Sequence, residues 1–147
     1  MLSLPPGTPF VIAGDFNAYR TDPAHHMQTL LTGEIVDTIR YGRGIAPDWD
    51  GTALADAKPT HNGVGADTYT FGDGGGQLPP AELDRILYTD SRLRILNAFV
   101  LNTTSLDSLT LVQLGLREGD VLRNATQRRF DHLPVVVDFR LPSAVPP

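Results

Sequence analysis

Pro9-Phe10-Val11-Ile12-Ala13-Gly14 is an unbroken apolar run bounded by turn formers, too short for a helix and long enough for a strand. It does not alternate, so it reads as a strand covered on both faces, and such a strand needs a packed layer on each side. One layer is visible further along. Asp22-Pro23 caps a helix over Ala24–Leu31, with Met27, Leu30 and Leu31 on one face and Gly33 closing it. Ser105–Leu116 reads as a second helix, followed by a Gly119-Asp120 turn. Strands are expected at Asp67–Phe71, Leu83–Tyr88, Leu93–Leu101 and Leu133–Leu141. Between them, Tyr41–Ala66 is rich in Gly, Pro, Asp and Asn and predicts a long irregular loop, a kind of segment that is usually functional or mobile. Gly72–Gly76 is a second loop; no Lys-Ser/Thr and no helix start follow it, so it does not cradle phosphate.

The order β-α-loop-β-β-β-α-β predicts an α+β fold: one mixed sheet of five or six strands with both helices on one face. Residues 1–141 would form a single domain and 142–147 a Pro-rich tail. No segment supplies the layer opposite the helices.

Composition narrows the partners. The net charge is -5, with 41% hydrophobic and 20% charged residues, so no broad basic field holds nucleic acid by counterion release. A nuclease whose metal supplies local positive charge is still compatible with that balance. There is no cysteine, hence no disulfide, thiolate nucleophile or cysteine zinc site. One lysine against eleven arginines reflects genome composition rather than chemistry; a bacterial source is expected. No apolar run approaches the roughly 20 residues of a membrane span. A soluble protein is expected, secreted only if an upstream segment carries a leader.

Three polar clusters interrupt the apolar strands, where a rigid scaffold presents binding groups. They are Gly14-Asp15-Phe16-Asn17, Glu82-Leu83-Asp84-Arg85-Ile86-Leu87 and Asp131-His132-Leu133-Pro134. Each has a bland reading. Asp and Asn at a strand exit can be a turn that bonds its own backbone, Asp84 an edge charge, and His132 a structural histidine. Together they are the residue types for hydrolysing a phosphoric ester, which needs an activated water, stabilisation of charge on the phosphoryl oxygens and help for the leaving oxygen. His25, His26 and His61 have no spaced partners and are expected on the surface.

Gly14-Asp15-Phe16-Asn17 resembles the GDFN motif of the endonuclease/exonuclease/phosphatase (DNase I-like) superfamily. Asp131-His132 resembles its closing SDH motif, with Phe130 in place of serine. Leu83-Asp84-Arg85-Ile86 resembles its LDY/IDY strand, with Arg85 in place of the aromatic. Thr68-Tyr69-Thr70-Phe71 resembles the threonine-aromatic segment before it. A single tetrapeptide is weak, but four motifs in order from residue 9 to residue 140 are specific.

The resemblance implies the C-terminal half of a DNase I-like four-layer α/β sandwich, with Mg²⁺ or Mn²⁺ as cofactor. Asp15 would orient or deprotonate the attacking water, and Asn17 would bond a phosphate oxygen. His132 would contact the scissile phosphate, and Asp84 would hold its imidazole. Thr70 would join Asn17 and His132 in binding substrate, and Asp131 and Asp15 would face the metal. The substrate would be nucleic acid, phospholipid or inositol phosphate. The family's N-terminal half normally adds a metal-ligating glutamate in a Gln-Glu pair, and no such pair occurs here. The expectation is therefore that a missing N-terminal half, a partner chain or a second copy in a homodimer completes the site, and that this chain alone is nearly inactive. The alternative is a half-domain that only binds a partner.

Overall fold

The computed structural model describes residues 4–18, 26–72, 79–121 and 132–142. Strand β1, Val11–Asp15, pairs antiparallel with β3, Asp84–Tyr88, in the register Val11↔Tyr88 through Asp15↔Asp84. On the other edge of β3 lies β2, Ala55–Asp56, which reaches only Tyr88 and Leu87. The sheet order is β1-β3-β2. Strands β4, Arg94–Val100, and β5, Val135–Arg140, form a second antiparallel sheet, with a register shift between Ile95 and Asn97 that leaves Leu96 61% exposed. The two sheets meet where the rings of Tyr88 on β3 and Phe139 on β5 lie 5.0 Å apart.

The α+β class is the one expected, but the single mixed sheet is not found. Among the described residues there are two sheets whose ladders are all antiparallel, and the parallel contact is one bridge between His61 and Val100. Strand β3 has both edges taken, by β1 along its length and by β2 at its far end, which leaves β4 to pair with β5. The expected strand over 67–71 reduces to bridges made by Phe71 to Ala81 and to His132.

β1 also departs from expectation. It is an edge strand, and Val11, Ala13, Gly14 and Asp15 are exposed while only Ile12 turns inward. No described element lies over that side, so an apolar composition alone did not ensure burial.

The helices are slight. α1 spans His26–Thr32 and buries no side chain; its expected Asp22-Pro23 cap lies outside the described residues. Gly33 closes it at φ 72, its N–H donating to the Thr29 carbonyl. A Cβ there would meet the Ile45 carbonyl oxygen at 1.8 Å, so glycine is required by close approach as well as by conformation. α2, Thr38–Tyr41, is one turn within the expected loop. α3, Ser108–Leu114, buries Leu111 and starts three residues later than expected, because Asp107 is the cap whose carboxylate accepts from Thr110 N–H and hydroxyl. Thr103–Ser105 before it is a 3-10 turn. Among the described residues no helix makes an extensive contact with a strand, so the expected helical layer over one sheet face is not the dominant packing there.

Burial concentrates around β3. Leu83, Leu87 and Val100 are fully buried, and so are Thr70, Thr89 and Thr103. The threonine hydroxyls serve backbone groups where ladders end: Thr89 accepts from Phe10 N–H, and Thr103 donates to the Glu118 carbonyl and accepts from Val121 N–H. At the far end of β3, buried Asp48 accepts from the Ser91 amide and hydroxyl and from Trp49 N–H, and the Trp49 indole donates to the Thr8 carbonyl at 2.6 Å. Burial pushes the Asp48 carboxyl up, but these bonds outweigh it and hold the group below the usual range. Asp90 is pushed up by burial and then by its hydrogen bond to Asp48 and the charge of Asp48.

Candidate active site

The β1–β3 register sets Asp15 directly opposite Asp84, and residues opposite on a ladder share a face. Two carboxylates there repel each other, which costs stability unless something positive lies between them. Phe16 N–H extends the ladder by one bond to the Leu83 carbonyl at 2.8 Å. The chain then turns at Asn17, which takes the left-handed conformation at φ 48 that asparagine tolerates better than most residues. Asn17 donates to Asp15 twice, from its amide N–H at 2.9 Å and from Nδ2 at 3.1 Å. These bonds fix the carboxylate and leave lone pairs on both oxygens.

His132 approaches from the segment before β5. Its Nδ1 lies 2.6 Å from Asp84 Oδ2, and both side chains are partly covered. A carboxylate at Nδ1 places the proton there, so Nε2 is the acceptor of the neutral ring. The Phe71 ring stacks at an angle on the imidazole, with centroids 5.1 Å apart. Ligand atoms of Asp15, Asp84 and His132 all lie within 4.8 Å of one another. Asp84 and His132 line a cleft of about 320 Å³ with Ala13, Gly14, Arg85, Ile86 and the segment 133–135. Residues from three distant parts of the sequence therefore form one polar group, and two of its members line the cleft.

Thr70 is placed differently from a substrate contact. It is 1% exposed, and its hydroxyl oxygen accepts from Leu83 N–H at 3.1 Å and Asp84 N–H at 2.9 Å. It lies behind the cleft, holding the start of β3. Asp131 lies outside the described residues.

Sequence reasoning missed two features nearby. Arg85, on the face of β3 opposite Asp84, pairs with Asp56 and Glu82, and Glu82 accepts from the Thr68 hydroxyl. His61, expected at the surface, is 6% exposed. Asn102 Oδ1 is taken by Thr104 N–H and hydroxyl, so Asn102 Nδ2 faces His61 Nδ1 at 3.1 Å. The ring proton must then sit on Nε2, which donates to the Tyr69 carbonyl at 2.8 Å. A lone histidine in a Gly/Asn-rich stretch carries no local sign of that burial; His26, by contrast, is exposed as expected.

A model of the Endonuclease/Exonuclease/phosphatase family matches residues 1–108. The chain belongs to this family. The match takes in Asp15, Asn17, Thr70 and Asp84, and His132 lies beyond it. No curated protein and no solved structure matches the chain. The endonuclease/exonuclease/phosphatase family is in general hydrolytic and typically depends on a divalent metal. The donor set here is compatible with such an ion, because Asp15 and Asp84 offer hard carboxylate oxygens on one side of the ladder. Among the described residues, no helix of this family member is long and apolar enough to cross a membrane.

Proposed function

We propose that this endonuclease/exonuclease/phosphatase-family chain carries the catalytic residues of a metal-dependent phosphodiesterase or phosphatase. The observation that carries the reading is the 2.6 Å bond between His132 and Asp84 with the Asp15 carboxylate beside it. Asp15 lies on the exposed side of the group and orients or deprotonates a water. His132, with Nδ1–H committed to Asp84, presents Nε2 to the phosphoryl group. The Asp84 carboxylate holds the imidazole in the orientation that aims Nε2 at the ester. Asn17 supports the Asp15 carboxylate and adds a donor for a phosphate oxygen. Asp15 and Asp84 would hold Mg²⁺ or Mn²⁺, with Asp131 as a further candidate ligand. When bound, the ion supplies positive charge against the phosphoryl oxygens. The cleft's size and apolar lining suit a small ester group, whether from a nucleotide, a phospholipid headgroup or an inositol phosphate.

A second reading is favoured by the exposed β1 edge and by the absence of a Gln-Glu pair: a half-domain that binds a partner and does not turn over. Hydrolysis of bis-p-nitrophenyl phosphate with Mg²⁺ or Mn²⁺, measured together with thermal midpoints, separates the two. On the first reading, in a protein whose metal site is completed, His132→Ala and Asp15→Asn each cut turnover about 10²–10⁴-fold. Their unfolding midpoints stay near that of the parent. Turnover that survives His132→Ala would reject the assignment, and a folded chain that gains no turnover when joined to an upstream half carrying the Gln-Glu pair would favour the binding reading.

A further inference from the structure

Four hydrogen bonds converge on Thr70. Its N–H donates to the Ala81 carbonyl at 3.0 Å, and its carbonyl accepts from Leu133 N–H at 2.7 Å. Its hydroxyl oxygen accepts from Leu83 and Asp84 N–H. Leu83 N–H lies just before β3, and Asp84 N–H opens the strand beyond the reach of β2, which pairs only with Tyr88 and Leu87. One side-chain oxygen therefore stands in for a missing strand at the point where Asp84 leaves the sheet.

The carbonyl of the same residue holds the amide next to His132. Asp84 and His132 come from segments 48 residues apart, and Thr70 is bonded to the backbone of both segments. Its χ1 is stiff because the side chain is β-branched and fully buried. The segment cannot slide along its axis, because Tyr69 is tied by its carbonyl to His61, and His61 to Asn102. Gly72 then allows the turn that lets Phe71 bridge Ala81 and His132; at φ 92, a Cβ there would lie 2.6 Å from Pro80 Cα.

We propose that Thr70 is a positioning residue that sets the distance between Asp84 and His132, so that the Nδ1–H···Oδ2 bond forms before any ligand arrives. The inference rests on the hydrolytic reading for its kinetic arm only. The competing possibility is that the hydroxyl merely satisfies two buried amides and contributes to stability. Thr103 supplies the control, being equally buried and equally bonded through its hydroxyl, to Glu118 and Val121, away from the cleft.

The experiment compares Thr70→Val, Thr70→Ser and Thr103→Val by two readouts. The first is the NMR signal of the His132 Nδ1–H proton. Its downfield shift should be present in the parent, Thr70→Ser and Thr103→Val, and weakened or lost in Thr70→Val. The second is Mg²⁺-dependent hydrolysis of bis-p-nitrophenyl phosphate. Thr70→Val should lower kcat on the order of 10–100-fold with KM nearly unchanged, since misplacement of reacting groups by about 1 Å costs on that scale. Thr70→Ser should restore kcat to within about threefold of the parent, and Thr103→Val should leave it at the parent value while lowering the unfolding midpoint.

If Thr70→Val does not fold, Thr70→Ala, where water can enter beside the two amides, should show the same changes at smaller amplitude. An unchanged His132 signal in Thr70→Val, or in its substitute, overturns the positioning role whatever the activity. So does an equal kcat loss in Thr103→Val. No hydrolysis by any variant even when an upstream half completes the metal site, together with loss of the signal only at Thr70, would reject the hydrolytic reading and leave the positioning intact.

Discussion

Asp15 and Asp84 stand on one rung of an antiparallel ladder, where like charges weaken pairing by roughly 0.2–1 kcal/mol. The Asp15→Asn change expected to cut turnover should therefore leave the protein as stable as the parent or slightly more so, the usual relation between a strained site and its scaffold. A second carboxylate pair, at the opposite end of β3, is a matter of stability alone. Asp90 is held above the usual range by burial, and then by its bond to Asp48 and the charge of Asp48. The folded state thus grips this proton more tightly than the unfolded chain does. The stability it contributes is complete below the ordinary carboxylate value of about 3.9 and is lost as pH rises through the raised value. Asp48 behaves oppositely: burial raises it, the Ser91 and Trp49 donors outweigh that and lower it, and its contribution is lost as pH falls through the lowered value. Asp90→Asn mimics the protonated form at every pH. Thermal midpoints from about pH 4 to pH 7 should fall less steeply for the mutant, which should be the more stable of the two at neutral pH; a parallel pair of curves would refute this.

Strand β3 is the element on which the core and the site both depend, with Leu87 on one face and Asp84 on the other. Leu87→Ala leaves a cavity where nothing is exposed, and the expected loss is about 2–5 kcal/mol, read from the midpoint of urea unfolding at constant m. A loss below about 1 kcal/mol would mean that the strand is not central. β3, β4 and β5 were legible in the sequence, each within two residues at either end, because their apolar runs are bounded by Thr, Asp, Asn or Pro. Asp84 and His132 were legible too, as charges breaking such runs. Other features had no local signal. Ala55-Asp56 is a strand only because β3 has an open edge there, and no pattern in two residues could announce it. The alternation of Thr68 to Phe71 suggested a strand. In the structure it sends Thr70 into the core and brings the Tyr69 and Phe71 rings against His61 and His132. The partition into two sheets and the exposure of β1 depend on which distant segment wins an edge, which periodicity does not encode.

For the molecule as a whole, a net charge of -5 supplies no broad basic field to attract a polyanion. On the hydrolytic reading, recognition comes from the cleft and its immediate donors. For a series of Mg²⁺-dependent substrates, kcat/KM should be insensitive to chain length, with duplex DNA no better than a short diester at equal salt. A steep gain with length that disappears as salt rises would instead reveal a basic track. The chain's connectivity has a consequence of another kind. The bond between Phe10 and Thr89 spans 79 residues, and that between Asp84 and His132 spans 48. Closing loops of that size is entropically costly before any contact compensates, and pairings between distant segments fold slowly. The groups around His132 cannot meet until both closures are complete. Regain of their chemistry in a refolding experiment is therefore a late event, and a partly folded chain with native-like local strands carries none of it.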